Sequence, residues 1–136
     1  MKDIDKLEAF AWLQEFVLLS EEQAGPIIHR VSQAEASDSQ EDKFTAFSEA
    51  VEKLPAVLKS MKQFPKPKRK ELRLIKKLQE SGLDAYIKSC EWSIKLLEEP
   101  NRARLSAKMW QITLATKYWD LANEEIRRFA EKCKEK

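Results

Sequence analysis

The sequence predicts an all-α protein: a single-domain bundle of five to six helices over residues 1–136, closing on one long C-terminal helix. Three observations lead there. Strand signals are nearly absent, with no Asn-Gly or Asp-Gly turn and no sustained apolar/polar alternation. Apolar residues recur instead at steps of three and four, the spacing that puts them on one face of a helix. Finally, 2 Gly and 5 Pro in 136 residues leave few places for a helix to stop, and almost nothing for a Gly-rich phosphate loop. The length fits one domain of about 100–200 residues. Folding such a chain removes about two-thirds of the surface it exposes when unfolded, so neither a disulfide nor a structural metal is required.

The first helix is expected over residues 3–24, with Leu7, Phe10, Leu13, Val17 and Ala24 on its apolar side. Gly25-Pro26 reads as a stop followed by a new start. A second, shorter helix carries Ile27, Ile28 and Val31 and gives way at Ser37-Asp38-Ser39, where Ser39 with Asp42 has the pattern of an N-cap. The third carries Phe44, Phe47, Val51 and Leu54 before meeting Pro55, which lacks an N–H and clashes with the carbonyl four residues back, so a kink or restart is expected. Phe64-Pro65-Lys66-Pro67 is a stiff extended connector, and Pro67 suits the first position of a fourth helix ending near Gly82. A fifth covers about residues 84–98, with Tyr86, Ile87, Cys90, Ile94 and Leu97, and Pro100 closes it. From Asn101 onward there is neither Gly nor Pro, and Leu105, Met109, Ile112, Trp119, Ile126 and Cys133 form an apolar stripe. At 1.5 Å per residue this helix is about 50 Å long, more than one small core covers. Either the other helices stack on it in two layers, or another chain covers part of it. Trp119, Ile126 and Phe129 are the expected interface residues, for self-association or for another subunit.

The net charge of +2 hides a segregation. Residues 1–58 hold 5 basic and 12 acidic side chains, residues 59–77 hold 9 and 1, and residues 78–136 hold 11 and 10. A cationic block in an otherwise acidic or neutral chain marks a surface for a polyanion. At about 100° per residue, Arg69, Lys70, Arg73, Lys76 and Lys77 share one arc of about 120°, with Leu72, Leu74, Ile75 and Leu78 opposite. Together with Lys66 and Lys68 these cations form a rail expected to contact the phosphates of single-stranded RNA or DNA, and Lys59 and Lys62 extend it. Trp110 and Tyr118 are candidate surface aromatics.

Catalytic and metal chemistry find no footing. With one His and two Cys, Cys90 and Cys133, there is neither a zinc ligand set nor a Cys-His or Ser-His-Asp arrangement, and His29 has no Glu three residues before it as a di-iron bundle needs. No cofactor, no metal and no enzymatic activity are expected. The N-terminus is charged too early for a signal peptide and no apolar run approaches 18 residues, so the expectation is a cytoplasmic protein with no membrane contact.

Three stretches, in order, resemble the small all-helical subunit of type III CRISPR interference complexes of the Cmr (RAMP module) kind. EAFAW at residues 8–12 is similar to that family's early aromatic-Ala-aromatic helix. VEKLPAVLKS at 51–60 is similar to its helix bearing a Lys, an apolar residue and Pro in series. ATK at 115–117, followed after nine residues by RRFAE at 127–131, is similar to its last helix. They cover 23 of 136 residues. The family continues after its Lys-Pro helix with an Asn-Gly turn and an apolar helix, where this chain has Met61-Lys62-Gln63-Phe64 and the basic block. The resemblance implies a non-catalytic subunit of an antiviral-defence complex, stacking side by side with its neighbours to line a positive groove beside a guide–target duplex. The alternative from residue chemistry is a helical interaction or oligomerisation module with no nucleic-acid role.

Overall fold

A computed structural model of the chain describes residues 2–134 and folds them into four helices: α1 (Asp3–Glu35), α2 (Gln40–Gln63), α3 (Lys70–Glu98) and α4 (Arg102–Lys134). No strand occurs among the described residues, so the all-α class stands. The count of five to six helices does not, because the breaks expected at Gly25-Pro26 and Gly82, and the restart that was one alternative at Pro55, are absorbed.

Gly25-Pro26 lies inside α1 and Pro55 inside α2. A proline deletes one donor from the ladder, and each helix continues because buried residues grip it on both sides of the break: Ala24, Ile27 and Val31 in α1, and Leu54, Val57 and Leu58 in α2. No residue among those described has a positive φ, so Gly25 is not used as a left-handed cap. The third break, Gly82, sits mid-way along α3 for a packing reason. A Cβ built there would lie 2.5 Å from Nε1 of Trp119, so the glycine makes room for an indole from α4. The expected start at Pro67 is also displaced. Pro67 is buried in the connector, and α3 begins at Lys70 after Arg69.

Other start signals are met. The Ser39 hydroxyl accepts from the Asp42 N–H at 3.1 Å, and the Asn101 side chain accepts from the Arg104 N–H at 2.9 Å at the head of α4. With connectors this short, successive helices run antiparallel.

The main hydrophobic cluster joins α1, α2 and α3 through Phe16, Val31, Phe47, Leu54, Met61, Leu83 and Cys90, among others, and takes no residue from α4. A second cluster clips the C-terminal end of α4 to the N-terminal parts of α1 and α3 through Ala9, Leu13, Leu72, Ile75, Phe129 and Cys133. Between these, α4 lies along α3 over a seam of small side chains. Gly82, Ser89 and Ser93 of α3 and Ala115 and Ala122 of α4 are all buried there. Helix α4 is thus stacked along α3, while Leu105 and Met109 of its apolar stripe stay exposed. Both seam hydroxyls are satisfied within α3, Ser89 donating to the Tyr86 carbonyl at 2.6 Å and Ser93 to the Ser89 carbonyl at 2.8 Å. Burial pushes the Cys90 thiol up to about 12, leaving it a packed hydrophobe rather than a nucleophile.

Candidate nucleic-acid interface

Aromatic packing fixes the cationic segment in place. Trp12 stacks on Phe16 at 5.0 Å between ring centroids, and both meet Phe64 at the end of α2, at 5.7 and 5.5 Å. The Trp12 indole N–H then donates to the Pro65 carbonyl at 2.7 Å. The connector carrying Lys66 and Lys68 is thus fastened to α1 by a ring cluster and a hydrogen bond.

The seven rail residues divide into two groups. Lys66, Lys68, Lys70, Arg73 and Lys77 are exposed, and Arg69 and Lys76 are partly buried. Arg69 is held by Glu71 at 2.8 Å and lies 5.9 Å from the centroid of the Phe129 ring, so it secures the α3/α4 end as much as it faces solvent. Lys76 is paired with Glu80 and donates to the Lys62 carbonyl at 3.2 Å, crossing from α3 to α2. The Arg73 guanidinium donates to the Lys68 and Pro67 carbonyls at 2.6 and 3.3 Å, which folds the connector onto α3 without neutralising the charge. Lys62, Lys66, Lys68, Lys70 and Lys77 have no carboxylate partner among the described residues. The Glu71 carboxyl lies below the usual carboxylate range. Partial burial alone would raise it, but the hydrogen bond and charge of Arg69, with Lys132 at 3.8 Å, outweigh that burial.

One element of the helical wheel is corrected. Leu72 and Ile75 are buried as expected, but Leu74 is 44% exposed and Lys76 turns partly inward. The buried arc is rotated away from Leu74 because α3 is gripped on two sides, by the α1/α2 pair and by α4.

The cations converge on an open hollow of about 540 Å³ lined by Lys62, Phe64, Lys66, Arg73, Lys76, Lys77 and Glu80. A second hollow, of about 360 Å³, shares Lys62, Lys77 and Glu80 and continues along α3 past Ser81, Asp84 and Lys88 to Gln111, Leu114 and Tyr118 of α4. The two make one trough with a cationic end and an end walled by α4. Its acids are engaged, Glu80 by Lys76 and Asp84 by Lys88 at 3.1 Å. Sequence reading left Gln111 and Lys88 out and had no means of joining Tyr118 to the rail, because only the antiparallel return of α4 brings them together.

The expected interface residues lie elsewhere. Phe129 is 2% exposed in the second cluster, with its ring 5.9 Å from that of Phe10. Ile126 packs on the same cluster, and Trp119 fills the Gly82 notch with its ring 5.6 Å from Tyr86. Phe129 is thus buried within the chain, whereas Trp119 and Ile126 are partly buried and also line an open hollow with Val17, Gln79 and Asn123. The large apolar residues that α4 leaves exposed are Leu105, Met109, Trp110 and Leu121, of which Leu105 and Met109 had been placed on the stripe.

Among the described residues no group of three or more His, Cys, Asp or Glu is placed to hold a metal ion, and no helix is long and apolar enough to cross a membrane. Compared with known protein families, with curated proteins and with solved structures, the chain finds no match in any of the three.

Proposed function

We propose that the protein is a non-catalytic binding subunit whose cationic trough takes the phosphate backbone of single-stranded RNA or DNA. The observation that carries this reading is the convergence of Lys62, Lys66, Arg73, Lys76 and Lys77 from α2, the connector and α3 on one hollow with a single carboxylate, which Lys76 already engages. Lys62, Lys66, Arg73 and Lys77, held on three separate segments and without a carboxylate partner among the described residues, attract a polyanion, because each phosphate they neutralise releases condensed counterions. Long, flexible Lys side chains make phosphate contacts and do not discriminate bases, so sequence preference at this end is weak. The reading stands on the trough. It shares with the type III CRISPR small subunits the class of a helical, nucleic-acid-facing component of a larger assembly.

A second reading, a helical interaction module, is favoured by the exposed apolar residues of α4, with Trp110 61% and Met109 51% exposed. The two are separated by salt-dependent binding of a labelled oligouridine. If about five phosphates are neutralised, the logarithm of affinity falls against the logarithm of salt with a slope of about −3.5. Replacing Lys62, Lys66 and Lys77 together by Ala leaves the paired Arg69 and Lys76 in place and reduces that slope by about 2. No binding at low salt, or equal binding by the triple variant, leaves the interaction module as the function.

A further inference from the structure

The cationic end of the trough does not distinguish a nucleic acid from any other polyanion. The α4 end does. Tyr118 is partly buried along the second hollow, with no ring partner and no hydrogen bond to its hydroxyl among the described residues. The other tyrosine, Tyr86, is packed on Trp119, and burial raises its hydroxyl above the usual range. Beside Tyr118, the Gln111 amide and the Ser81 hydroxyl line the same hollow, Leu114 and Ala85 add apolar surface, and Lys77 and Lys62 join it to the phosphate end. An aromatic ring, an amide with donors and an acceptor, a hydroxyl and flanking ammonium groups make up the equipment for one nucleotide: stacking for the base, hydrogen bonds for its edge or sugar, and charge for its phosphate.

We infer that the trough is a subsite for an unpaired nucleotide, with the base stacked on Tyr118 and polar contact from Gln111, while the strand runs toward Lys62, Lys77, Arg73 and Lys66. This rests on the phosphate-binding reading above and adds what that reading leaves open, a requirement for a free base. A base in a duplex is already stacked on its neighbours and cannot present its face to the tyrosine, so the site selects single strands over duplexes of equal charge.

The test compares three probes on the full chain by fluorescence anisotropy at low salt: labelled oligouridine, a labelled RNA duplex, and inorganic polyphosphate as a base-free competitor. Oligouridine is expected to bind more tightly than the duplex. Tyr118→Ala is expected to lower its affinity by about 5- to 150-fold, the range that one stacked base supplies, with the salt slope unchanged. The inhibition constant of polyphosphate, corrected for the weaker probe, is expected to be the same for the parent and for Tyr118→Ala, which also reports that the variant is folded. Tyr118→Phe keeps the ring and most of the affinity, and Gln111→Ala gives a smaller loss for oligouridine alone. If duplex and single strand bind alike, or Tyr118→Ala binds oligouridine as the parent does, the subsite is overturned while phosphate binding survives. If neither oligouridine nor polyphosphate binds, both readings fall. If Tyr118→Ala loses both probes and Tyr118→Phe retains both, the ring is structural and the subsite is again overturned.

Discussion

The two glycines show how much a single residue's meaning depends on what stands opposite it. Both lie inside helices with ordinary backbone angles, so neither is needed for its conformational freedom. A Cβ at Gly25 meets nothing within 4 Å, whereas one at Gly82 meets the Trp119 ring at 2.5 and 2.6 Å. Ala is the better helix former by about 1 kcal/mol, and it narrows the unfolded ensemble. Gly25→Ala is therefore expected to stabilise the protein by about 0.5–1 kcal/mol. Gly82→Ala receives the same helical benefit but forces the indole out of its notch against Tyr86, with a net loss of about 1–2 kcal/mol set by overpacking. Urea unfolding of both variants checks the pair, and a gain in stability for Gly82→Ala as well would show that the Trp119 notch is not a constraint. Nothing local in the sequence separates these two glycines, since the discriminating atom belongs to another helix.

At the scale of elements, the sequence specified the helices and misplaced their boundaries. Ser39 with Asp42, the connector at Phe64-Pro65-Lys66-Pro67 and the unbroken run after Asn101 are each read from a few neighbouring residues, and each appears in the structure. The breaks read at Gly25-Pro26 and Gly82, and the restart that was one alternative at Pro55, fail for a common reason. A breaker is a local cost of about 1–3 kcal/mol, and burial along both halves of a helix of 33, 24 or 29 residues exceeds it. The positive rail was legible because charge clusters in sequence, and the trough was not, because its second wall is Gln111, Leu114 and Tyr118. Pro55 tests the size of the local cost directly. It is exposed and outside the buried core, so Pro55→Ala restores a backbone hydrogen bond without disturbing that core. The expected gain is about 2–2.6 kcal/mol, the helical penalty of proline less the entropy its ring removes from the unfolded chain. A denaturation midpoint unchanged or lowered in this variant would mean that the α2 backbone is shaped around the proline and does not merely tolerate it.

Over the whole molecule, the decisive asymmetry is between a three-helix core and a fourth helix laid on it. The main cluster is closed by α1, α2 and α3 alone. Helix α4 is held by the small-residue seam along α3, by the clip of Phe129 and Cys133 at its C-terminal end, and at its other end by Lys108, which pairs with Glu35 at 3.5 Å and lies 5.1 Å from the Phe47 ring centroid. The seam buries little apolar area per residue, because Gly, Ser and Ala have little to bury, and Leu105, Met109 and Trp110 stay in solvent near the N-terminal end. Local opening follows the distribution of buried apolar contacts. The N-terminal half of α4 is therefore expected to open at a free energy below that of global unfolding, while Leu54 in α2 and Ile87 in α3 exchange only through the global event. Because the cations of the trough stand on α2, the connector and α3 and its tyrosine stands on α4, a bound strand bridges the two units and is expected to slow exchange in α4 most. Native-state hydrogen exchange, with and without oligouridine at low salt, measures both. Uniform protection of α4 and the core in the free protein would make the molecule a single cooperative unit and remove the basis for the bridging effect.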